Sequence, residues 1–382
     1  MKIIIAPDSF KGALRSPEVA AALADGWRKV RSGDEVIEIP LADGGEGTAE
    51  ALRLGTGGVK VTVPAHDALM RSINAEYSIL GDGETFVFEM ATASGIELLS
   101  REELDPLRAT TFGAGEVMLA ALRAGAKKIV VGIGGSATVD GGAGFLQALG
   151  VRYYDADGKL LPDGIGGGDL GRVERIDASA LKQVIDCDIT VACDVTNPLL
   201  GEHGSVAIFG PQKGVTPELA PRMEQNMRHW AEVLKKSGLA DICDAPGDGA
   251  AGGLGFALRA ALNANIRSGA DLVIGLSGFD EAVRGAALVI TGEGCSDVQT
   301  VYGKLCAVVA KRAAMQKVPT VLCAGALRGD TTELEKRFSG VFSIASGPGT
   351  LESAIAATSV NLRRAGANLA ALASVFSSQG VD

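Results

Sequence analysis

The chain opens on an aliphatic run, residues 2–6, that reads as a buried strand. Ser16-Pro17-Glu18 follows as a helix start, with a capping side chain, proline in the first turn and an acid near the positive end of the dipole. Apolar residues at 19, 20, 23 and 27 predict a helix over 17–30. A second strand is expected over 36–41, and a second helix begins at 48–54. This β-α-β-α order predicts a parallel sheet. The pattern then changes. Residues 59–64, 73–80 and 85–90 alternate, and Gly81-Asp82-Gly83 joins the last two as a hairpin turn. Alternation predicts an antiparallel, half-exposed sheet. A helix over 111–124, strands over 128–133 and 189–193, and a helix at about 217–237 follow. From 287 the short aliphatic runs return, at 287–291, 319–323 and 341–345.

These elements predict an α/β protein of two domains. A parallel α/β domain is built from both chain ends, 1–60 plus 287–382, and a mixed α/β domain, 61–286, is inserted. Two consecutive domains split near residue 180 are the alternative. Composition narrows the function. Glycine is 52 of 382 residues, about twice the usual share. There is no collagen period, and a mean hydropathy of +0.22 excludes a disordered glycine-rich chain. Thirteen glycines fall between 132 and 171 and five between 247 and 255, so the excess sits in connections. The net charge of −10 speaks against nucleic acid and anionic membranes as partners. Six cysteines without a CxxC pair fit reduced thiols in a cytoplasmic protein. No apolar stretch is long enough to span a membrane.

In open parallel sheets, ligands bind beyond the carboxyl ends of the strands. The predicted strands of the outer domain end in Asp8-Ser9-Phe10-Lys11-Gly12, in Asp43-Gly44-Gly45-Glu46-Gly47, in Gly292-Glu293-Gly294-Cys295-Ser296-Asp297 with Gly303-Lys304 beyond, at Gly325, and in Ser346-Gly347-Pro348-Gly349. A mouth of acids, lysines and bare amides suits a metal-bound phosphate ligand. In the insert, the glycine runs 132–142 and 247–255 could present N–H groups to an anion, or could be tight connections. Asp194 follows a predicted strand, and Lys213 is an isolated cation in a loop. His66-Asp67 could form an acid–base pair or be structural. Residues 132–137 match GxGxxA, but Gly141, Gly142 and Gly144 follow at once and oppose the helix that a dinucleotide fold requires. No Walker A sequence, HExxH or GxSxG elbow is present.

Residues 6–12, 42–48, 132–144 and 291–294 together resemble the bacterial glycerate kinases of the type-1 family, in order along nearly the whole chain. The resemblance implies ATP-dependent phosphorylation of D-glycerate, usually at the 2-hydroxyl. It also implies Mg²⁺ and two α/β domains, one of them Rossmann-like and discontinuous, with the site in the cleft between them. A monomer or homodimer is expected. The chain departs from the family pattern at Val139 and Cys295, where Asn and Arg are usual. On this reading the amides of Gly134, Gly135, Ser136, Gly252 and Gly253 face phosphate oxygens. Asp43, Glu46, Glu293 and Asp297 hold Mg²⁺, and Lys11, Lys213 and Lys304 offset phosphate charge. Arg71 and Ser9 bind glycerate, and Asp194, or else Asp8, takes the hydroxyl proton. A kinase for the 3-hydroxyl or another small hydroxy acid, or a non-catalytic nucleotide-binding protein, are the alternatives.

Overall fold

The computed structural model describes residues 1–42, 45, 47–183, 186–240, 244–301 and 304–378. In chain order the strands are β1 (Lys2–Ile5), β2 (Glu35–Glu38), β3 (Val59–His66), β4 (Ser72–Ile79), β5 (Thr85–Glu89), β6 (Lys128–Gly132), β7 (Arg152–Tyr154), β8 (Arg175–Asp177), β9 (Asp188–Ala192), β10 (Asn265–Arg267), β11 (Leu288–Ser296), β12 (Thr320–Leu327) and β13 (Gly340–Ser343). The chain divides into two compact units. The first comprises Met1–Asp43, Glu50–Gly57 and Ala270–Asp382, and the second Gly44–Ala49 and Gly58–Gly269. The first unit thus resumes at 270 rather than at the expected 287. Arg312, in the helix Leu305–Met315, is the physical reason: its guanidinium binds Asp271 at 3.0 Å and Asp280 at 2.5 Å, tying 270–286 to this unit.

The first unit is a five-stranded, all-parallel sheet in the order β13-β12-β11-β1-β2. Ile3, Ile4 and Ile5 are wholly buried because β1 is a central strand covered on both faces, which is why its sequence is a continuous apolar run. The helix start at 16–18 forms, with one change. Arg15 occupies the cap position and donates its N–H to Glu18, while the Ser16 hydroxyl donates to Pro7 O and accepts from Leu41 N–H. The serine therefore joins the connections that follow β1 and β2.

The helices Ser16–Val30 and Thr358–Ser378 cross at Gly26 and Gly366. A Cβ at Gly26 would lie 2.0 Å from Arg363 O, and one at Gly366 2.2 Å from Leu23 O. Gly366→Ala is therefore expected to destabilise the protein by about 3 kcal/mol through overpacking, against a gain of about 1 kcal/mol in helix propensity. The midpoint of urea unfolding measures this, and an unchanged midpoint would contradict it.

The second unit carries a six-stranded sheet ordered β10-β9-β6-β5-β4-β3. β10, β9, β6 and β5 run parallel, whereas β5-β4 and β4-β3 are antiparallel. The predicted hairpin is present, and β3 and β4 show partial exposure. β5 does not: all five of its residues are buried, because β6 pairs with it on the other side. The glycine-rich stretch also contains a short helix, Ala143–Ala148, that its composition opposes. The helices Phe112–Arg123 and Ala220–Lys236 lie where periodicity places them, and β7 and β8 form a separate two-stranded sheet. Among the described residues no helix is long and apolar enough to cross a membrane.

Candidate active site

In the first unit a pocket of about 360 Å³ opens beyond the carboxyl ends of β1, β11, β12 and β13. Asp8, Ser9 and Lys11 from the β1 end, Glu293 and Cys295 from β11, and Lys304 form its polar wall. Phe10, Ile344, Leu351 and Ile355 supply an apolar part. The parallel sheet delivers these segments together: Asp8 N–H donates to Gly292 O at 2.8 Å, so the connection after β1 continues along β11. Asp8 Oδ1 also accepts Ser9 N–H at 2.6 Å.

Glu293 is nearly buried, and its Oε1 accepts two hydroxyls, Ser296 at 2.9 Å and Thr300 at 2.6 Å. Among the described residues its Oε2 has no partner. Hydroxyls that hold one oxygen leave the other aimed by the same restraint. Asp297 is used differently. Its Oδ1 accepts Gln299 N–H at 2.8 Å and its own N–H donates to Thr300, so turn chemistry accounts for it and it does not line the pocket. No group of three or more His, Cys, Asp or Glu poised for a metal occurs among the described residues, and Asp43 and Glu46 lie outside them. That donor set fits Mg²⁺ on a phosphate ligand, because such an ion takes one or two carboxylates from the protein and the rest from phosphates and water. Glu293, with one oxygen uncommitted, meets the requirement.

In the second unit the glycine loop after β6 lies at the carboxyl end of the parallel strands. Gly134 and Gly135 are exposed, whereas Ser136 is buried. Gly135 O accepts Ile96 N–H and Ala137 N–H donates to Ser94 O, which pins both sides of the tip. A Cβ at Gly134 would stand 3.3 Å from Gly45 Cα, so Gly45 lies against this loop. Glu89, at the end of β5 and in register with Gly132, accepts Gly47 N–H at 3.2 Å and Ala49 N–H at 2.9 Å. Glu89 carried no motif signal, since it closes an ordinary strand pattern. Its place at a strand's carboxyl end was the one available clue.

Behind the loop lies a buried polar layer. Asp140 is wholly buried and accepts four bonds, from Thr111 N–H at 2.8 Å, Thr111 Oγ1 at 2.7 Å, Gly142 N–H at 3.2 Å and Gly144 N–H at 3.2 Å. Burial pushes this carboxyl up from the usual range, while the four donors pull it back. Donors alone surround it, which is the environment of the ionised form. Lys213 was expected as a loop cation. It is 1 % exposed, and its Nζ donates to Ser136 Oγ at 2.6 Å and to Thr138 O at 2.9 Å. Burial lowers its pKa to about 7, and Asp140 partly opposes this.

The remaining expected residues have structural occupations. Gly252 and Gly253 are buried: a Cβ would meet Thr138 O at 1.9 Å from Gly252 and Gly141 Cα at 2.7 Å from Gly253. Gly252 O accepts Gly141 N–H at 2.9 Å. Close packing of two loops therefore explains this glycine pair. Arg71 is bound by Asp67, by Glu103 at 2.6 Å and by Leu98 O at 3.4 Å, so two carboxylates already neutralise the cation expected for glycerate. His66 pairs with Glu116 through Nδ1 at 3.0 Å rather than with Asp67. Asp194 is exposed, and its Oδ1 accepts Ser268 Oγ at 3.0 Å and Gly269 N–H at 2.9 Å, which secures the start of the helix Gly269–Leu276.

The model of the glycerate kinase family matches residues 3–374 of this chain. The glycerate 2-kinase of Escherichia coli (strain K12) is 44% identical over 373 residues, covering 97% of each chain. The glycerate kinase of Bacillus subtilis (strain 168) is 42% identical, again over 97% of each. A crystal structure of a protein assigned as glycerate kinase 2 from Salmonella typhimurium LT2 superposes with a TM-score of 0.90 at 41% identity, covering 99% of both chains.

Proposed function

The chain belongs to the glycerate kinase family, and from that premise we propose that it transfers the γ-phosphoryl group of ATP, bound with Mg²⁺, to the 2-hydroxyl of D-glycerate. The observation that carries the reading is the pocket at the sheet's carboxyl edge, where Asp8, Lys11, Glu293 and Lys304 share one wall. Phosphoryl transfer asks a protein mainly for positioning and charge neutralisation. The apolar part of the pocket suits the base of a nucleotide, which the seven heavy atoms of glycerate could not fill. Lys11 and Lys304 offset phosphate charge. In the second unit, the exposed N–H groups of Gly134 and Gly135 and the Ser136 hydroxyl donate to phosphate oxygens. Glu293 would hold Mg²⁺, which would supply neutralisation of the charge that gathers on the phosphates during transfer.

Asp8 takes the proton of the attacking hydroxyl and Ser9 steadies glycerate beside it. Asp8 is preferred to Asp194 because it lines the pocket, while Asp194 anchors a helix start. Incubation with Mg·ATP and D-glycerate, followed by phosphorus NMR, tests the reading. The expected product is 2-phosphoglycerate. Formation of 3-phosphoglycerate would overturn the regiochemistry, and absence of any transfer would overturn the kinase reading.

A further inference from the structure

The Lys213 ammonium is buried 77 residues away in sequence from the hydroxyl it binds. The chain reaches it through a π-helical turn, Ser205–Phe209, and a single 3₁₀ turn, Pro211–Lys213, and such irregular turns recur at functional sites. An ammonium has three N–H donors. Two acceptors meet it, Ser136 Oγ and Thr138 O, and no carboxylate touches it among the described residues. A buried charge without a counter-ion is costly. Ser136 is constrained in turn. Its oxygen accepts from Lys213, so its own proton has no acceptor among the described residues and is left to point elsewhere. The neighbouring Gly134 and Gly135 are the exposed part of the same loop.

We propose that Lys213 is a positioning residue that acts through Ser136: it turns the serine hydroxyl outward as a donor to a phosphate on the 134–136 loop, and it takes up a proton when that phosphate binds. This rests on the assignment of phosphate to the loop made above. The neutral amine satisfies both of its acceptors with two N–H bonds, so the empty site has no need of the third proton. An anion at Ser136 supplies the missing counter-charge and favours the ammonium. The shift of Lys213 to about 7 places this exchange near neutral pH. Asp140, from the turn before the helix Ala143–Ala148, is the charged group that bears on Lys213. Its carboxylate is already held by four donors from Thr111, Gly142 and Gly144. Tyr153 of β7, buried nearby, remains neutral, since burial raises its phenol well above the usual value, and it donates to Ala143 O.

The test is calorimetric titration of the full chain with Mg·AMP-PNP at pH 8, in two buffers of different ionisation enthalpy. The wild type is expected to take up close to one proton more per site than Lys213→Met. Its affinity is expected to fall up to tenfold per pH unit above pH 7, while that of K213M stays flat. Ser136→Ala is expected to bind about tenfold more weakly. If S136A binds as tightly as wild type, the assignment of phosphate to the loop fails. If S136A is weakened but wild type and K213M take up equal protons, the role of Lys213 fails while that assignment stands. Thermal melting identifies a variant that does not fold. In that case the wild type alone decides, because no proton uptake at pH 8 overturns the proposal.

Discussion

Asp8→Asn is expected to lower kcat by about 10²–10⁴-fold, the contribution of a positioned general base, with little change in the KM for ATP. Asparagine keeps the oxygen that accepts Ser9 N–H at 2.6 Å, so the local turn survives the exchange. What it loses is the capacity to take a proton. Steady-state kinetics with D-glycerate measures the effect, with circular dichroism as the control for folding. Asp194→Asn is the companion measurement. Its amide oxygen can still accept Ser268 Oγ and Gly269 N–H, so its turnover is expected to stay within a few-fold of wild type. A D8N variant that kept more than a tenth of the turnover, beside a D194N variant that lost it, would transfer the base role to Asp194.

Asp140→Asn is expected to cost about 3 kcal/mol of stability, roughly a 150-fold change in the folding equilibrium. Three backbone N–H groups and the Thr111 hydroxyl converge on this carboxylate, which is wholly buried. An amide replaces one acceptor oxygen by a donor, so N–H faces N–H with no water available to relieve it. The loss extends beyond stability. Thr111 Oγ1 also accepts Phe145 N–H at 2.9 Å, so the network joins the helix Phe112–Arg123 to the helix after the glycine loop. Chemical denaturation gives the stability and the kinase assay the consequence. A melt indistinguishable from wild type would show that Asp140 has no such structural role.

How much of this was readable beforehand differs from residue to residue. The apolar run at 2–6 sufficed for a central parallel strand, since a strand buried on both faces has no polar positions. Asp8, Lys11, Glu293 and Lys304 are legible in the sequence because each comes after a predicted strand, and a parallel sheet gathers its carboxyl ends on one edge. Glu89 obeys the same rule but carries no sequence signal, because nothing in a strand that ends in an acid distinguishes it from a solvated edge. Asp43 and Glu46, the acids of the second motif, lie outside the described residues. The run around Gly252 and Gly253 reads from sequence as an anion cradle or a tight connection, and the backbone of Thr138 and Gly141 pressed against them accounts for both glycines.

The amino-acid sequence alone therefore determined the α/β class of the fold and the principal strands and helices, because periodicity and turn chemistry are local properties. Only the tertiary structure decided which polar groups are already satisfied. Arg71 is bound by two acids 4 and 32 positions away, and Lys213 by a serine 77 positions away. A side chain's charge is written in its letter. Whether that charge is free to meet a ligand depends on burial and on partners that distant segments bring, and these exist only once the chain has folded.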